Sequence, residues 1–152
     1  MARISEISAQ KKNPDRVNLY IDGAFFCGLD AFTAASHRLK AGDEIDPPEL
    51  ERVIFDGECA SAFEKSMRQI NVRMRSEQEI RRYLAEKQYA AEVVDACIQK
   101  LIDYRYLDDA GFARLYAEAH RKKWGGMKIR YNLKSLGIDA EVLEHTLSEM
   151  PE

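Results

Sequence analysis

The sequence predicts a mainly α-helical protein made of tandem three-helix repeats, two of them visible, preceded by a small N-terminal antiparallel β segment. Two observations support this fold class. Hydrophobic residues recur with a period of about two before residue 46 and with a period of about 3.6 from Pro47 onward. The helical part also resembles itself at an offset of 49 residues. A repeat of this length is typical of stacked units that share a continuous core.

The first predicted domain is a β-rich segment with a short helix, over residues 1–46 of the 152. Apolar and polar residues alternate over residues 17–21, and Asp22-Gly23 follows them with the chemistry of a tight hairpin turn. We expect residues 3–10 to form the first strand and residues 24–28 the third. The prediction is a three-stranded antiparallel meander.

Two helices are expected to follow this meander before the repeats begin. Asp30 can cap a short helix that runs through Arg38. Asp46-Pro47-Pro48 then places proline where a helix starts, which predicts a linker helix over residues 47–56. We expect a break at Asp56-Gly57.

The predicted repeats cover residues 57–107 and 108–152. Their helices are expected at 57–72, 76–88 and 90–105 in the first unit and at 108–123, 126–136 and 139–150 in the second. The identities at the 49-residue offset are Phe63 and Phe112, Ile80 and Ile129, Arg81 and Arg130, Leu84 and Leu133, Ala91 and Ala140, Glu92 and Glu141, and Val93 and Val142. Because the breaks between helices align as well, we favour a true repeat over chance matching of amphipathic helices.

The middle helix of each unit has the clearest apolar stripe. Ile80 and Leu84 in the first unit, like Ile129 and Leu133 in the second, are four residues apart and face inward. The basic residues of both helices lie off this stripe.

Several polar residues fit structural roles at helix ends. Ser76 and Glu79 match a capping box at the start of the first middle helix. Asp108 is interpreted as the N-cap of the next helix rather than as a catalytic acid. Tyr104, Tyr106 and Leu107 are expected to form core between the repeats.

Charge is strongly segregated along the chain, although the net charge is only −3 and the isoelectric point about 5.7. Residues 43–58 hold seven acidic side chains against Arg52 alone. We interpret this stretch as a solvated linker and helix face. Residues 112–134 hold seven basic side chains against Glu118 alone, so a basic surface is predicted there.

The best local candidate for binding is Arg121-Lys122-Lys123-Trp124, which is followed by two glycines. It combines dense positive charge with an aromatic ring that could stack on a base. The alternative is a solvated helix C-terminus, where basic residues are favoured in any case, and packing is the favoured role for Trp124. The residues that would extend this surface are Arg73, Arg75, Arg81, Arg82, Arg114, Lys128, Arg130 and Lys134.

The sequence carries little that indicates an enzyme or a metal-binding protein. The three histidines are scattered, no glycine-rich phosphate loop is present, and Asp108-Asp109 has no identifiable partner base. Cys27, Cys59 and Cys97 lack the Cys-x-x-Cys spacing of a zinc site and are interpreted as buried thiols. We predict no catalytic residue, metal or cofactor.

No apolar run approaches the ~18 residues of a transmembrane helix, so we expect a cytoplasmic protein without membrane contact.

Three motifs in the helical part resemble the RecX family of recombinase regulators. They are the Arg-Ser-Glu-Gln-Glu-Ile-Arg-Arg-Tyr-Leu run at 75–84, the Tyr-Leu-Asp-Asp-Ala-Gly-Phe-Ala junction at 106–113, and the Gly-Met-Lys-Ile-Arg-Tyr-Asn-Leu helix at 126–133. The match covers about residues 57–150, and the N-terminal segment looks like an extension found in some branches. The family usually has three repeats, of which two are visible here.

This resemblance implies a regulator of the RecA recombinase in recombination, DNA repair and the SOS response. Members lie along the groove of the RecA filament and restrain its ATPase, strand-exchange and co-protease activities. The implied partners are RecA and the single-stranded DNA in the filament, with weaker binding to free DNA and a monomeric state. Two alternatives stay open: a helix-turn-helix DNA-binding regulator, and a helical adaptor without nucleic-acid contact.

Overall fold

The computed structural model describes residues 1–149, which fold mainly into helices after an N-terminal sheet. The elements in chain order are β1 Ala2–Ala9, β2 Arg16–Ile21, β3 Ala24–Asp30, α1 Ala31–Ser36, β4 Glu44–Ile45, α2 Pro47–Val72, α3 Glu77–Glu86, α4 Ala91–Asp103, α5 Asp109–His120, α6 Gly126–Ser135 and α7 Ala140–Ser148. The chain forms two compact units, Met1–Glu64 and a second that begins at Lys65. No helix within residues 1–149 is long and apolar enough to cross a membrane.

The sheet of the first unit is antiparallel, with strand order β3-β2-β1-β4. The predicted meander is confirmed for the first three strands, and Asp22 and Gly23 turn the hairpin with φ of 50° and 83°. The two-residue strand β4 pairs with the start of β1 and makes the sheet four-stranded. Ile4, Leu19 and Leu29 form its buried face.

Asp30 stands at the predicted N-cap position, but its side chain does not cap α1, and that helix ends at Ser36 rather than Arg38. The carboxylate instead accepts a hydrogen bond from Nη1 of the buried Arg16 at 2.8 Å. Glu58 of α2 accepts from the other terminal nitrogen of Arg16 at 2.9 Å, and Ser61 donates to Asp30. The interpretation of the acidic stretch as solvated is therefore wrong at Glu58, which is 4% exposed.

Helix α2 runs through the expected break at Asp56-Gly57. Gly57 has a packing role instead, because a Cβ there would lie 2.5 Å from Cγ2 of Thr33 in α1. The glycine allows the two helices of the first unit to approach closely. The domain boundaries inferred from the sequence remain a prediction.

In the second unit the apolar stripes match the prediction. Ile80 and Leu84 of α3 are buried, as are Ile129 and Leu133 of α6. Around α6, the core of the second repeat is made by Phe112, Ala113, Ala117, Ile129, Leu133, Ile138 and Leu143.

The turns after the middle helices also repeat. Gln88 follows α3 and Gly137 follows α6, and both take left-handed backbone conformations, with φ of 69° and 88°. Each is followed by a buried residue, Tyr89 or Ile138, whose amide bonds a carbonyl of the preceding helix at 3.2 and 3.1 Å. The 49-residue offset therefore extends to backbone geometry.

The loop between the repeats differs from the expectation. Leu107 is buried, but Tyr104 and Tyr106 are 61% and 46% exposed. Their rings pack edge to face with centroids 6.3 Å apart, so each shields part of the other at the surface. Of the cysteines, Cys97 is buried as expected, whereas Cys27 and Cys59 are partly exposed.

Candidate nucleic-acid and partner interface

Arg81 is held by carboxylates on its own helix and on the next one. Its Nη1 donates to Asp95 of α4 at 2.7 Å, and its Nε donates to Glu77 at 3.1 Å. The hydrogen bond to Asp95 is the main reason why the pKa of the Arg81 guanidinium is raised. Much of its charge is thus balanced within the fold.

Arg130 makes the corresponding contact in the second repeat. Its Nε donates to Glu144 of α7 at 2.9 Å. Arg81 and Asp95, like Arg130 and Glu144, join the second and third helices of a repeat, and the two pairs are 49 residues apart. That these arginines also face a partner remains a prediction.

Arg73 and Arg75 both approach Glu79, the acidic member of the α3 capping box. Arg73 lies 2.5 Å and Arg75 3.9 Å from its carboxylate, and Nε of Arg75 also donates to the Gln69 carbonyl at 3.1 Å. The predicted capping box is present, with Ser76 accepting from the Glu79 amide. These two arginines therefore stabilise the entry to α3.

The remaining predicted cations divide by what surrounds them. Lys128 lies against the ring of Trp124. Of the other predicted cations, those that are exposed and have no ion pair among residues 1–149 are Arg82, Arg114, Arg121, Lys122, Lys123 and Lys134. Arg121, Lys122 and Lys123 are consecutive in the turn between α5 and α6, and we call these three the basic tip.

Trp124 follows the basic tip and packs partly against the core of the second repeat, in agreement with its favoured role. His120 stacks on its ring with centroids 4.3 Å apart and planes 11° apart. Nζ of Lys128 lies 4.5 Å from the ring centroid. Because both groups already cover the indole, a base could stack there only by displacing one of them.

A groove of about 390 Å³ lies within the second unit. It brings together Arg75 and Arg114 from the predicted set with Arg105, which sequence reasoning missed. The signal that could have found it is Tyr104-Arg105-Tyr106, where a basic residue stands between two aromatic ones. A smaller groove of about 210 Å³ brings Arg75 and Arg82 together beside Glu79 and Glu86.

The carboxylates at the junction have structural contacts. Asp108 caps α5, as predicted, by accepting from the Gly111 amide at 3.1 Å. Asp109 accepts from the Glu77 amide at 2.9 Å, and burial is the main cause of its raised pKa. No cluster of three or more potential metal ligands occurs among residues 1–149.

Family models match three parts of this architecture. The regulatory protein RecX N-terminal domain matches residues 2–46, the first three-helix domain of RecX residues 62–101, and the second residues 108–147. The chain belongs to the RecX family. The resemblance in the sequence motifs and the predicted fold class are both confirmed.

Curated relatives carry the same family name. The chain is 37% identical over 150 residues to Regulatory protein RecX of Bacillus velezensis, covering 97% of this chain and 57% of that protein. It is 32% identical over 146 residues to the protein of the same name from Clostridium acetobutylicum, covering 96% and 68%. The chain thus spans just over half the length of the Bacillus relatives.

Solved RecX structures share the fold. A crystal structure of regulatory protein RecX matches with a TM-score of 0.62 at 26% identity, covering 98% of this chain and 74% of that one. RecX from Lactobacillus salivarius matches with a TM-score of 0.58 at 22% identity, covering 60% of each chain. The second likeness concerns the fold alone.

Proposed function

We propose that this RecX-family chain binds the RecA filament on single-stranded DNA and inhibits its ATPase, strand-exchange and co-protease activities. It acts as a monomer and as a binding protein rather than an enzyme. RecA and the DNA strand inside the filament are its partners, and free DNA is bound more weakly.

The observation that carries the proposal is the basic tip of a chain with both RecX three-helix domains. Arg121, Lys122 and Lys123 are exposed, consecutive and without ion pairs in the part of the chain that the structure describes. Unpaired cations retain their full charge for phosphates, which supply most sequence-independent affinity for nucleic acid. Lys128 and Lys134 on α6 add charge close in sequence to the tip.

The other predicted cations take different parts. We assign Arg82 and Arg114, both exposed, to the outer contact surface of the repeats. Arg73, Arg75, Arg81 and Arg130 mainly hold helices in place, because carboxylates already engage them. Trp124 supports the tip by packing.

A helix-turn-helix reader of duplex sequence is the alternative of a different class. Helix α6 would have to present base-reading side chains to the major groove. Its exposed large hydrophobic residues are Met127 and Tyr131, at 86% and 72%, and Arg130 is engaged by Glu144. This surface favours sequence-independent contact.

The direct experiment adds the chain to RecA on single-stranded DNA and follows ATP hydrolysis and strand exchange. Inhibition at less than one chain per RecA supports the proposal. The control is the chain with Arg121, Lys122 and Lys123 changed to alanine, which should inhibit less. No effect of the unaltered chain at saturating concentration would contradict the proposal, and preference for one duplex sequence over random duplexes would favour the helix-turn-helix alternative.

A further inference from the structure

The groove of about 390 Å³ in the second unit has an apolar floor that is open to solvent. Ile70, Met74, Tyr106 and Leu115 contribute to it, and Met74, Tyr106 and Leu115 are 44%, 46% and 50% exposed. Adjacent large apolar side chains left in water are typical of a surface that a partner covers.

Two arginines at this groove are available to a ligand. Arg105 and Arg114 are exposed and have no ion pair within residues 1–149. The other charged lining residues are occupied: Arg75 bonds the Gln69 carbonyl, and Asp108 caps α5. The charge that remains for a ligand is positive.

Arg105 occupies a costly backbone position. Its φ is 63°, in the left-handed region that favours glycine. It directly follows the C-cap residue of α4, as Gly137 follows that of α6. An arginine therefore stands where a glycine would be less strained, as Arg38 and Gln88 do after their own helices at φ of 54° and 69°.

We propose that this groove, lined by Met74, Leu115 and Tyr106 with Arg105 and Arg114, binds a protein segment with an apolar side chain flanked by carboxylates. The apolar floor buries the hydrophobic side chain, and the two guanidinium groups pair with carboxylates in charge-assisted hydrogen bonds. The apolar floor suits the side chain of a peptide better than a phosphate backbone. The identity of that partner as the protein component of the filament rests on the proposed function.

The test compares binding to the RecA filament with binding to bare oligo-dT. Arg105→Gly combined with Arg114→Ala should weaken filament binding by about tenfold or more, since each lost charge-assisted contact costs about tenfold, and should weaken oligo-dT binding much less. Arg105→Gly relieves backbone strain, so loss of folding does not explain the effect. The matched control is Arg38→Gly with Arg52→Ala, which removes one exposed arginine at φ of 54° and one on a helix, both outside the groove.

Wild-type affinity of the groove variant for the filament, or an equal loss on oligo-dT, would overturn the groove assignment and leave the proposed function intact. A chain that does not bind the filament at all would contradict the proposed function instead. The groove is then tested with a fluorescein-labelled peptide of alternating leucines and glutamates against the same peptide with lysines. Tighter binding of the glutamate peptide, lost in the groove variant, supports the proposal, and equal binding of both peptides refutes it.

Discussion

Arg130 donates through Nε to Glu144 at 2.9 Å, and Arg81 makes the same helix-to-helix contact with Asp95 at 2.7 Å. The two pairs occupy equivalent places in the two repeats. The internal repeat therefore includes surface ion pairs as well as core. Arg81 and Arg130 therefore hold helices together. The cations of the basic tip differ from them, because they have no ion pair within residues 1–149.

Ser76 links two helix ends in the second unit. Its hydroxyl accepts from the Glu79 amide at 3.1 Å and donates to the Leu136 carbonyl at 2.6 Å. Ser76→Ala should lower the free energy of unfolding by about 2 kcal/mol, since a cap and a second hydrogen bond are lost. Urea denaturation measures this change.

The matched control is Gly125→Ser at the equivalent N-cap of α6, where a Cβ meets nothing within 4 Å. It should stabilise by a few tenths of a kcal/mol, roughly the advantage of serine over glycine at a cap. Equal effects of the two substitutions would refute the double role of Ser76.

Gly137 and Gln88 should respond in opposite directions. Gly137→Ala should cost about 2 kcal/mol or more, because φ is 88° and the new Cβ would lie 2.2 Å from Cβ of Gln78. Gln88→Gly should gain up to about 1 kcal/mol, since glycine relieves its left-handed strain. Thermal or urea unfolding of both variants decides the point, and destabilisation by Gln88→Gly would contradict it.

The buried ion cluster of the first unit, Arg16 with Asp30 and Glu58, should contribute more to the free energy of unfolding than the surface ion pairs of that unit. Glu58→Ala leaves Arg16 short of a carboxylate in a buried place and should cost about 3 kcal/mol. Arg52→Ala on the same helix removes a pair at 3.7 Å that is about two-thirds exposed, with an expected cost of less than about 0.5 kcal/mol. Similar losses in the free energy of unfolding for the two variants, measured by urea denaturation, would show that the buried cluster stabilises the fold no more than a surface ion pair does.

Asp109 should make stability depend on pH in a definite direction. Burial and the neighbouring acidic residues Glu77, Asp108 and Glu79 raise its pKa above the ordinary 3.8. At pH values between the ordinary pKa of 3.8, which holds in the unfolded chain, and the raised pKa of the folded chain, the folded chain binds a proton that the unfolded chain does not. This group therefore stabilises the fold more as the pH falls.

Asp109→Asn removes the charge and keeps an oxygen that can accept from the Glu77 amide. At about pH 7 it should therefore unfold at a higher urea concentration than the unaltered chain. The advantage should shrink towards about pH 4 as Asp109 itself becomes neutral. A variant less stable than the original at neutral pH would contradict this account.

Local signals in the sequence were sufficient for most of the helices. The stripe of Ile80 and Leu84, the Ser76 cap and the Asp22-Gly23 turn each depend on residues close together in the chain, so their spacing revealed them. Contacts between distant residues could not be read in this way. Arg16 and Glu58 are 42 residues apart, and nothing near either one marks it as buried.

The candidate interface shows the same limit. Sequence alone located the basic residues but could not separate Arg81, paired 14 residues away with Asp95, from Lys122, which has no ion pair among the described residues. Arg105 stands between two tyrosines in the sequence, but its left-handed backbone and its place in the groove arise only in three dimensions.

The most direct test of the central claim compares two triple variants with the same change in charge. One replaces the basic tip, Arg121, Lys122 and Lys123, with alanine, and the other replaces the paired arginines Arg73, Arg81 and Arg130. Affinity for the RecA filament on single-stranded DNA is measured over a range of salt concentrations. The tip variant should lose affinity, and its log-log salt slope should fall by about two.

The paired-arginine variant should bind nearly as the original chain does, because its arginines are already engaged by carboxylates. It should also stay folded, since each lost surface ion pair contributes about 1 kcal/mol or less to folding. Equal loss of affinity by both variants, or wild-type binding by the tip variant, would contradict the claim that unpaired tip cations contact the filament.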